Sequence, residues 1–521
     1  MIFRSPYAEV PIPSVSLTEF VLGAAERLAE KPALIDGATG RRITYGELAE
    51  SVRRVAAGLA ALGFQKGDVL AIYSPNCPDY AVAFHAVASL GGINTTINPV
   101  YTAEEVAHQL KDAGAKYLLT IPQLMERAQE AAGEAGVREL FVFGEAEGAT
   151  PFAALLEADG PVPEVFIDPQ QDLVALPYSS GTTGLPKGVM LTHRNLVANL
   201  CQLQLFETVS QDDTLLCVLP MFHIYGMVVI MNLGLHAGAT IVTMPRFELE
   251  PFLELAEEHG VTLAHLVPPI VLALTKSPVV ERYDLSKLKT VFSGAAPLGE
   301  ELTRACQERL SCRIIQGYGM TETSPCTHIT PFELTNLKPG SVGICVPNTE
   351  CKLVSPEDGA PQGLKGRGEV WIRGPQVMKG YLNRPEATAQ TIDEEGWLHT
   401  GDIAYADEDG HFYIVDRLKE LIKYKGFQVA PAELEAVLVT HPSVADAAVI
   451  PSPDEEAGEV PKAYVVLRAE ANAEEIMEFV AERVAPYKKL RFVEFVEQIP
   501  KSPSGKILRR VLKERERERV R

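Results

Sequence analysis

The sequence lacks the cysteine patterns that hold metals or pair as disulfides. Its eight cysteines are scattered through 521 residues, with no C-x-x-C pair and no cysteine–histidine group at zinc-binding spacing. Dispersed thiols in a large acidic chain are typical of a reducing compartment. We therefore expect free cysteines and no zinc motif.

Long apolar runs are absent as well. The most apolar stretch, residues 219–235, is interrupted by His223, Gly226, Asn232 and Gly234, so it is too short and too polar for a membrane span. The first residues carry no apolar signal core, and the last three are not the peroxisomal Ser-Lys-Leu. These features predict a cytoplasmic protein with no membrane span.

Positive charge is in deficit. The chain has 69 acidic and 48 basic residues and a net charge of −21. A field of this sign repels phosphate backbones, so we expect no nucleic-acid partner. An anionic substrate would have to be held by local positive groups and a metal ion. The length predicts two to four structural units.

Helical and strand patterns alternate through the first 330 residues. Apolar spacing predicts a helix over residues 17–30, and Thr44 and Thr102 each begin a capping box with a glutamate three residues later. Residues 69–73 read as a strand and residues 80–90 as a helix. Such alternation predicts parallel sheets covered by helices, and we expect two doubly wound α/β layers.

The pattern changes twice after this region. Short alternating runs and Gly/Pro turns predict a β-rich subdomain over about 340–415. A compact α+β pattern then follows from residue 420. We predict an α/β protein with a large N-terminal domain over 1–415, its α/β layers reaching about 335, a hinge at 416–419 and a small domain over 420–521. The mixed-charge run at 513–519 is interpreted as a solvated helix end or tail.

A hydroxyl- and glycine-rich loop, residues 178–188, stands out from this background. It reads Tyr-Ser-Ser-Gly-Thr-Thr-Gly-Leu-Pro-Lys-Gly and lies between a buried-type strand and a helical pattern over 195–206. Backbone N–H groups and a helix terminus face a phosphate in such strand–loop–helix units. Pro186 and Gly188 flank Lys187, so this is not a Walker A loop. We expect a polyphosphate-binding loop.

The loop resembles the phosphate loop of the adenylate-forming superfamily, which contains acyl-CoA synthetases, adenylation domains of peptide synthetases and beetle luciferases. Further segments match in the family's order, at residues 316–322, 397–402, 416–428 and 500–506. The resemblance implies activation of a carboxylic acid with ATP and Mg²⁺ as an acyl-AMP. It also implies a mobile C-terminal lid that turns about its hinge between two half-reactions.

The resemblance also implies the nucleotide site. Tyr318 would stack beside adenine, Thr321 would touch the α-phosphate, Glu322 would bind Mg²⁺, and Asp402 would accept hydrogen bonds from the ribose hydroxyls. The implied ATP- and AMP-binding residues are Ser179, Ser180, Gly181, Thr182, Thr183, Lys187, Gln316, Gly317, Tyr318, Thr321, Asp402, Arg417 and Lys506.

The lid carries two implied sets of residues. Lys506 would reach the α-phosphate and the substrate carboxylate during adenylation, and Lys419 would be the hinge. After rotation another face would serve the second half-reaction. That face has Lys423 and Gln428 as contacts to the acyl adenylate and Lys425 and Gly426 as contacts to CoA. With His223, the implied catalytic residues are Lys506, Lys423 and Gln428.

Residues 220–226 and 293–299 are similar to the acyl-pocket segments of 4-coumarate:CoA ligases. His223 would stand near the carboxylate, although a lone histidine on an apolar face is also typical of a hydrogen-bonded core residue. The implied pocket residues are His223, Tyr225, Ala295, Gly317, Pro325 and Cys326. Gly226, Cys326 and Thr327 depart from the plant enzymes, so a roomier cavity for a medium or long fatty acid stays open.

We therefore expect an ATP-dependent acid:CoA ligase that uses a small carboxylic acid, ATP, Mg²⁺ and CoA. A 4-coumarate-type aryl acid is the expected substrate, with a fatty acid as the alternative. A ligase for a pantetheine carrier, a luciferase-like monooxygenase and a non-enzymatic acyl-adenylate sensor are the other readings. Lys506 argues against the sensor, because a sensor could dispense with it.

Overall fold

The computed structural model describes residues 1–179, 186–206, 208–331, 337–425, 427–454, 456–502 and 505–520, with the backbone alone for 517–520. Within these ranges, none of the helices combines the length and apolar character that crossing a bilayer requires.

The first sheet is built mainly from parallel strands. At its centre Val69–Tyr73 is buried along its whole length and pairs in parallel with Ile93–Ile97 and Ala115–Thr120. A strand covered on both faces needs such a continuous apolar run. The other strands of this sheet among the described residues are Leu173–Ala175, Lys187–Thr192, Tyr178–Ser179 and Gly380–Tyr381 on one side and Glu139–Val142 and Thr150–Pro151 on the other.

The second sheet has a parallel centre and antiparallel ends. Its parallel strands, in spatial order, are Arg313–Gly319, Thr290–Ser293, Leu263–Leu266, Thr214–Cys217, Thr240–Thr243 and Pro32–Asp36. Antiparallel additions are Cys326–Ile329 and Ile344–Cys345 at one end and Arg42–Thr44 at the other. Ligands of open α/β sheets bind outside the carboxyl ends of such strands.

The two sheets are held together by a buried amide. Asn76 follows the central strand of the first sheet, and its Nδ2 donates to the carbonyl oxygens of Cys217, Leu219 and Met244 at 3.0 to 3.1 Å. Its Oδ1 accepts the backbone N–H of Met221 at 2.7 Å. Because a buried amide is costly unless it is fully bonded, Asn76 specifies how the two layers meet.

Helices cover both sheets, and two of them begin at the capping boxes predicted from the sequence. Thr44 and Thr102 cap Tyr45–Ala61 and Ala103–Ala113 through complete capping boxes, which confirms that prediction. The remaining helices described before the small domain are Leu17–Leu22, Pro78–Ser89, Met125–Ala135, Phe152–Leu156, His193–Gln204, Leu233–Ala237, Leu249–Glu258, Pro268–Lys276, Glu300–Leu310 and Pro385–Thr391, the π-helix Tyr225–Asn232, and the 3₁₀ helices Pro122–Leu124, Pro278–Arg282 and Thr321–Thr323.

A third, antiparallel sheet adjoins the second. Its strands in the described chain are, in spatial order, Phe3–Arg4, Glu350–Val354, Gly368–Arg373, Leu398–Ala406 and Phe412–Arg417. Gly368–Arg373 alternates buried and partly exposed residues, as expected of a strand with one face in a core. The sheet therefore includes the N-terminal residues, while Ile344–Cys345, within the span predicted as the β-rich subdomain, belongs to the second sheet.

The small domain is a sheet backed by helices. Its strands in the described residues are Phe427–Val429, Ile422–Tyr424, Gly458–Leu467, Val444–Asp454 and Phe492–Phe495. Its helices are Pro431–Leu438, Ala473–Ala481 and Arg509–Val520, with 3₁₀ helices at Leu418–Glu420 and Pro486–Lys488. The α/β fold class with a small α+β domain is thus confirmed. The hinge at 416–419 stays a prediction; these residues run from the end of Phe412–Arg417 into Leu418–Glu420.

One local prediction is wrong, and another is right only in part. The helix expected over 17–30 ends at Leu22, because Gly23 follows and glycine has low helix propensity. The charged run 513–519 is helical, as part of Arg509–Val520, and Glu516 within it is buried rather than solvated. Its carboxylate accepts the hydroxyl of Tyr464 at 2.9 Å and also contacts Lys462. One face of this charged helix therefore belongs to the core of the small domain.

Candidate active site

A cavity of about 1350 Å³ lies where the three sheets of the large domain meet the small domain. The first sheet contributes Ser179 and Lys187, the second Gly317 and Tyr318, and the small domain Lys506. These residues are far apart in sequence, and the fold brings all of them to the lining of one cavity.

The two ends of the hydroxyl-rich loop are joined in the first sheet. Tyr178–Ser179 pairs antiparallel with Lys187 and Gly188, which brings the two flanks of the loop side by side. Lys187 Nζ lies 4.8 Å from the centre of the Tyr381 ring, a cation–π distance. Of the predicted phosphate contacts, Ser180, Gly181, Thr182 and Thr183 lie outside the described residues.

Glu322 is the buried acid of this region. It lies on the 3₁₀ helix Thr321–Thr323, which begins two residues after the end of the strand Arg313–Gly319, and it is 2% exposed. Its Oε1 accepts hydrogen bonds from the hydroxyls of Ser179 at 2.9 Å and Tyr381 at 2.8 Å. The carboxylate and Thr321 both line the cavity beside the loop.

Asp402 lies at a second polar centre, which joins the second and third sheets. Tyr318 donates its hydroxyl hydrogen bond to Asp402 Oδ2 at 2.6 Å, and Arg417 Nε lies 3.7 Å from Oδ1. Asp402 and Arg417 are directly paired across neighbouring strands. Burial and the neighbouring carboxylate raise the pKa of Tyr318 well above its usual value, so its hydroxyl stays protonated and donates.

Lys506 reaches the cavity from the small domain. Its hairpin closes through the backbone pair Lys501 and Ile507 and through Ser502, whose hydroxyl accepts the Lys506 N–H at 3.1 Å. Gly505 adopts φ of +76° against Val267, where a Cβ would lie 2.8 Å from a methyl group. Gly505 therefore allows the hairpin to pack closely against Val267 of the large domain.

The electrostatic surroundings of Lys506 are mixed. Burial lowers its pKa to about 8, and the positive charges of Arg417 and Lys419 add to this effect, whereas Asp402 and Glu322 oppose it. At neutral pH the ammonium is therefore protonated yet poorly solvated, so it favours an anion placed in the cavity.

The second lid segment borders the same cavity. Lys423 and Gln428 face each other across the hairpin Ile422–Tyr424 and Phe427–Val429, and both side chains are exposed. Lys419 lies at the margin on the 3₁₀ helix, and burial lowers its pKa. Lys425 pairs instead with Glu456. Gly426 lies outside the described residues.

His223 lines the cavity together with Tyr225, His265 and Phe292, and we call this part of the cavity the apolar branch. The backbone N–H of Tyr225 donates to His223 Nδ1 at 3.3 Å, so a neutral ring carries its hydrogen on Nε2. Burial lowers the pKa of His223 to about 4, with a contribution from Lys506, and the ring is therefore neutral at pH 7. The predicted pocket residues Tyr225, Ala295, Gly317, Pro325 and Cys326 line the cavity with it.

The apolar branch also includes residues that the sequence alone does not single out. They line the cavity with Tyr225, and all except Thr208 lie on strands or helices; they are Leu203, Thr208, Val229, His265, Phe292 and Ile329. Phe292 precedes the Ser-Gly-Ala-Ala segment and ends a parallel strand, so strand-end position was an available signal. Leu203 and Val229 lie within helices, and no local pattern marks them.

The structure corrects two sequence interpretations here and leaves a third as a prediction. Gly226 does not enlarge the cavity, since a Cβ there would lie 2.2 Å from the carbonyl oxygen of Pro220. Thr327 is buried and donates to the carbonyl oxygen of Tyr318 at 3.2 Å. Gln316 is set behind the wall, where its amide exchanges hydrogen bonds with the backbone of Leu298. Its contact with nucleotide stays a prediction.

The match to known families agrees with this geometry. The family described as AMP-binding enzyme matches residues 22–382, and the AMP-binding enzyme C-terminal domain matches residues 433–506. The chain belongs to the AMP-binding enzyme family. Both matched segments contribute to the cavity.

This chain is similar to curated members of the family over almost its whole length. It is 47% identical to 4-coumarate–CoA ligase 2 of Petroselinum crispum, over 98% of this chain and 96% of the relative. It is 48% identical to 4-coumarate–CoA ligase 5 of Oryza sativa subsp. japonica, over 98% and 97%. This AMP-binding enzyme is therefore an ATP-dependent, AMP-forming acid:CoA ligase, as expected.

Solved structures of related proteins have the same fold as this chain. The anthranilate CoA ligase AuaEII in complex with anthranoyl-AMP has a TM-score of 0.89 at 25% identity, covering 97% of this chain and 98% of that one. An ATP-bound RpMatB-BxBclM chimera has a TM-score of 0.87 at 30% identity, covering 96% and 99%. The fold of this chain is thus shared, over nearly its whole length, with a CoA ligase solved with an acyl adenylate and with a chimera solved with ATP.

Proposed function

We propose that this ligase activates a 4-coumarate-type aryl acid and that the residues lining the cavity perform the roles implied by the resemblance. One observation carries the proposal. Lys506 and Glu322 line one cavity together with the aromatic side chains of the apolar branch. Asp402 contacts Tyr318 and Arg417, which both belong to this lining. A nucleotide held near Tyr318 and Glu322 and an acid in the apolar branch would meet at Lys506.

In the first half-reaction a carboxylate oxygen of the acid attacks the α-phosphorus of ATP, and pyrophosphate leaves. Two anions must approach each other, so the main task of the protein is to neutralise charge and hold the reactants in line. Lys506 supplies a poorly solvated positive charge at the meeting point. Lys187 and the loop that starts at Ser179 hold the departing phosphates, and Thr321 the α-phosphate.

Asp402 and Tyr318 would hold the nucleoside. A carboxylate accepts two hydrogen bonds from a vicinal diol, and Asp402 is already oriented by Tyr318 and Arg417 before any ligand binds. The ring of Tyr318 would then lie beside adenine. Preorientation of this kind lowers the entropy cost of binding ATP.

Glu322 fits a magnesium site. Mg²⁺ is held in nucleotide enzymes by one or two carboxylates together with substrate phosphates. The Glu322 carboxylate lies on the cavity wall beside Ser179, where the loop begins, and Ser179 and Tyr381 orient one of its oxygens. Bound Mg²⁺ would neutralise charge on the phosphate oxygens of ATP.

In the second half-reaction the CoA thiol attacks the carbonyl carbon of the acyl-AMP, and AMP leaves as the thioester forms. We assign Lys423 and Gln428 to contacts with the adenylate and Lys425 and Gly426 to CoA, after a lid rotation about Lys419. The exposure of the hairpin at the cavity margin supports this assignment, because its side chains can be redirected without disturbing a core. Neutral His223 would donate through Nε2 to a substrate oxygen.

The walls of the apolar branch favour an aryl acid over a fatty acid. Tyr225, His265 and Phe292 form a group of mutually contacting rings, with centroids 5.3 to 6.3 Å apart. Flat ring walls suit a planar cinnamic side chain. Thr208 adds a polar group that a phenol could use and that an alkyl chain could not.

The test is pyrophosphate release and CoA-thioester formation with ATP and Mg²⁺, across hydroxycinnamic, benzoic and fatty acids. We expect thioester with a hydroxycinnamic acid at a kcat/KM well above that for any fatty acid. Preference for a fatty acid would reject the aryl assignment while keeping the ligase. Pyrophosphate release without thioester would mean that the acceptor is not CoA, as in a carrier ligase or a luciferase-like enzyme.

A further inference from the structure

Behind Tyr318, which lines the cavity, three side chains of types that bind metal ions lie close together in the core. The donor atoms of His328, Cys345 and Cys351 lie within 4.8 Å of one another, and the three residues are at most 1% exposed. Among the described residues this is the one group of three or more His, Cys, Asp and Glu side chains close enough to share a metal ion. Sequence spacing did not reveal it.

Three different strands bring these side chains together. His328 and Cys345 are directly paired on adjacent antiparallel strands of the second sheet, and Cys351 lies on Glu350–Val354 of the third sheet. Cys345 Sγ is 3.4 Å from His328 Nε2. In a tetrahedral zinc site with Zn–S of about 2.3 Å and Zn–N of about 2.0 Å, the sulfur and nitrogen ligands are separated by about 3.5 Å. The observed spacing matches that value.

The histidine is oriented for coordination. Thr327 Oγ1 donates to the carbonyl oxygen of Tyr318 at 3.2 Å and lies 3.0 Å from His328 Nδ1. When the hydroxyl donates to Tyr318, as zinc binding at Nε2 requires, it accepts from Nδ1–H. The lone pair is therefore on Nε2, toward the thiols. Metal-bound histidines are commonly held in this way by a partner on the other ring nitrogen.

Charge balance selects the ion. The group is enclosed by apolar side chains, including Phe412, whose ring centre is 4.3 Å from that of His328. Two thiolates and a neutral imidazole carry a charge of about −2, so a divalent thiophilic ion gives a neutral complex, whereas Cu⁺ leaves a buried negative charge. Mg²⁺ and Ca²⁺ prefer oxygen ligands and are disfavoured.

We propose that His328, Cys345 and Cys351 form a zinc site that links the second and third sheets behind Tyr318. The site is separate from the Mg²⁺ position assigned to Glu322 and does not depend on the choice of acid. Zinc bound there would hold His328, Thr327 and the Tyr318 carbonyl in one chain of contacts. The three side chains leave the fourth position of the tetrahedral ion to a water molecule, which keeps the complex neutral. Because the group does not line the cavity, we assign the zinc a structural role.

The first test is the metal content of tag-free protein, expressed in zinc-supplemented medium and passed over chelating resin. We expect about one zinc ion per chain. The double variant Cys345→Ala/Cys351→Ala should lose it. The matched control is Cys306→Ala/Cys312→Ala, which removes another pair of buried, neighbouring cysteines and should retain zinc.

A second test uses only wild-type protein, so it does not require that a cysteine variant fold. Wild-type protein expressed with Co²⁺ in place of zinc should show the sulfur-to-cobalt charge-transfer absorption and strong visible bands of a tetrahedral thiolate site. Wild-type protein with neither zinc nor a cobalt spectrum would overturn the proposal. So would zinc retained in Cys345→Ala/Cys351→Ala, copper in place of zinc, or a Cys345–Cys351 disulfide in the purified protein.

Discussion

The Tyr318 hydroxyl donates to Asp402 Oδ2 at 2.6 Å, joining residues of two sheets that lie 84 positions apart. The same carboxylate has Arg417 on its other oxygen. The side chain that we assign to the ribose is thus oriented by the protein on both sides before ATP binds. Its substitution should therefore affect nucleotide binding more than the chemical step.

Asp402→Asn is expected to raise the KM for ATP about 10- to 100-fold, because a charged acceptor contributes about 1.5–3 kcal/mol to a hydrogen bond. Steady-state kinetics with ATP varied at saturating acid measures this effect. Asp358→Asn, in an exposed turn, is the control and should behave as wild type. An unchanged KM for ATP would contradict the ribose assignment.

Lys506→Ala is expected to slow pyrophosphate release about 100-fold or more, since it removes a charge placed at the reacting phosphate. Thioester formation from supplied acyl-AMP and CoA should change little, because the lid uses another face for that step. The control is Lys287→Ala on the exposed surface. An equal loss in both half-reactions would argue against lid rotation.

The adenylation step should depend on pH through Lys506. Burial lowers its pKa to about 8, and the protonated form is the active one. The kcat/KM for adenylation should therefore fall above pH 8, approaching about tenfold per pH unit. Lys506→Arg should remove this fall, because a guanidinium stays charged. A wild-type profile that is flat to pH 10 would exclude Lys506 as the titrating group.

Gly226→Ala should destabilise the fold. A Cβ would lie 2.2 Å from the Pro220 carbonyl oxygen, and overpacking of this kind costs about 1–3 kcal/mol. The matched control is Gly133→Ala in the helix Met125–Ala135, where a Cβ meets nothing within 4 Å. That change should stabilise by about 0.5–1 kcal/mol. Thermal unfolding of both variants checks the sign, and an unaltered Gly226→Ala midpoint would show that the backbone adjusts freely.

Local signals predicted much of this protein. The capping boxes at Thr44 and Thr102 and the apolar strand at 69–73 specify their elements through contacts within a few residues, so the sequence is sufficient to find them. The alternation of such elements then determines the α/β class. The order of the loop, Asp402 and lysine motifs along the chain pointed to an acid:CoA ligase, which the family and its relatives confirm.

Other features depend on which elements meet, and only the tertiary structure decided them. Glu322 is bonded by Ser179 and Tyr381 because two sheets abut at that point. The space that a side chain at Gly226 would need is occupied by the backbone of Pro220, because the π-helix packs closely against the preceding turn, so this glycine does not enlarge the cavity. His328, Cys345 and Cys351 converge through strand register and the contact of two sheets. Sequence by itself determines periodicity and local hydrogen bonds, whereas distances between remote side chains arise only from packing.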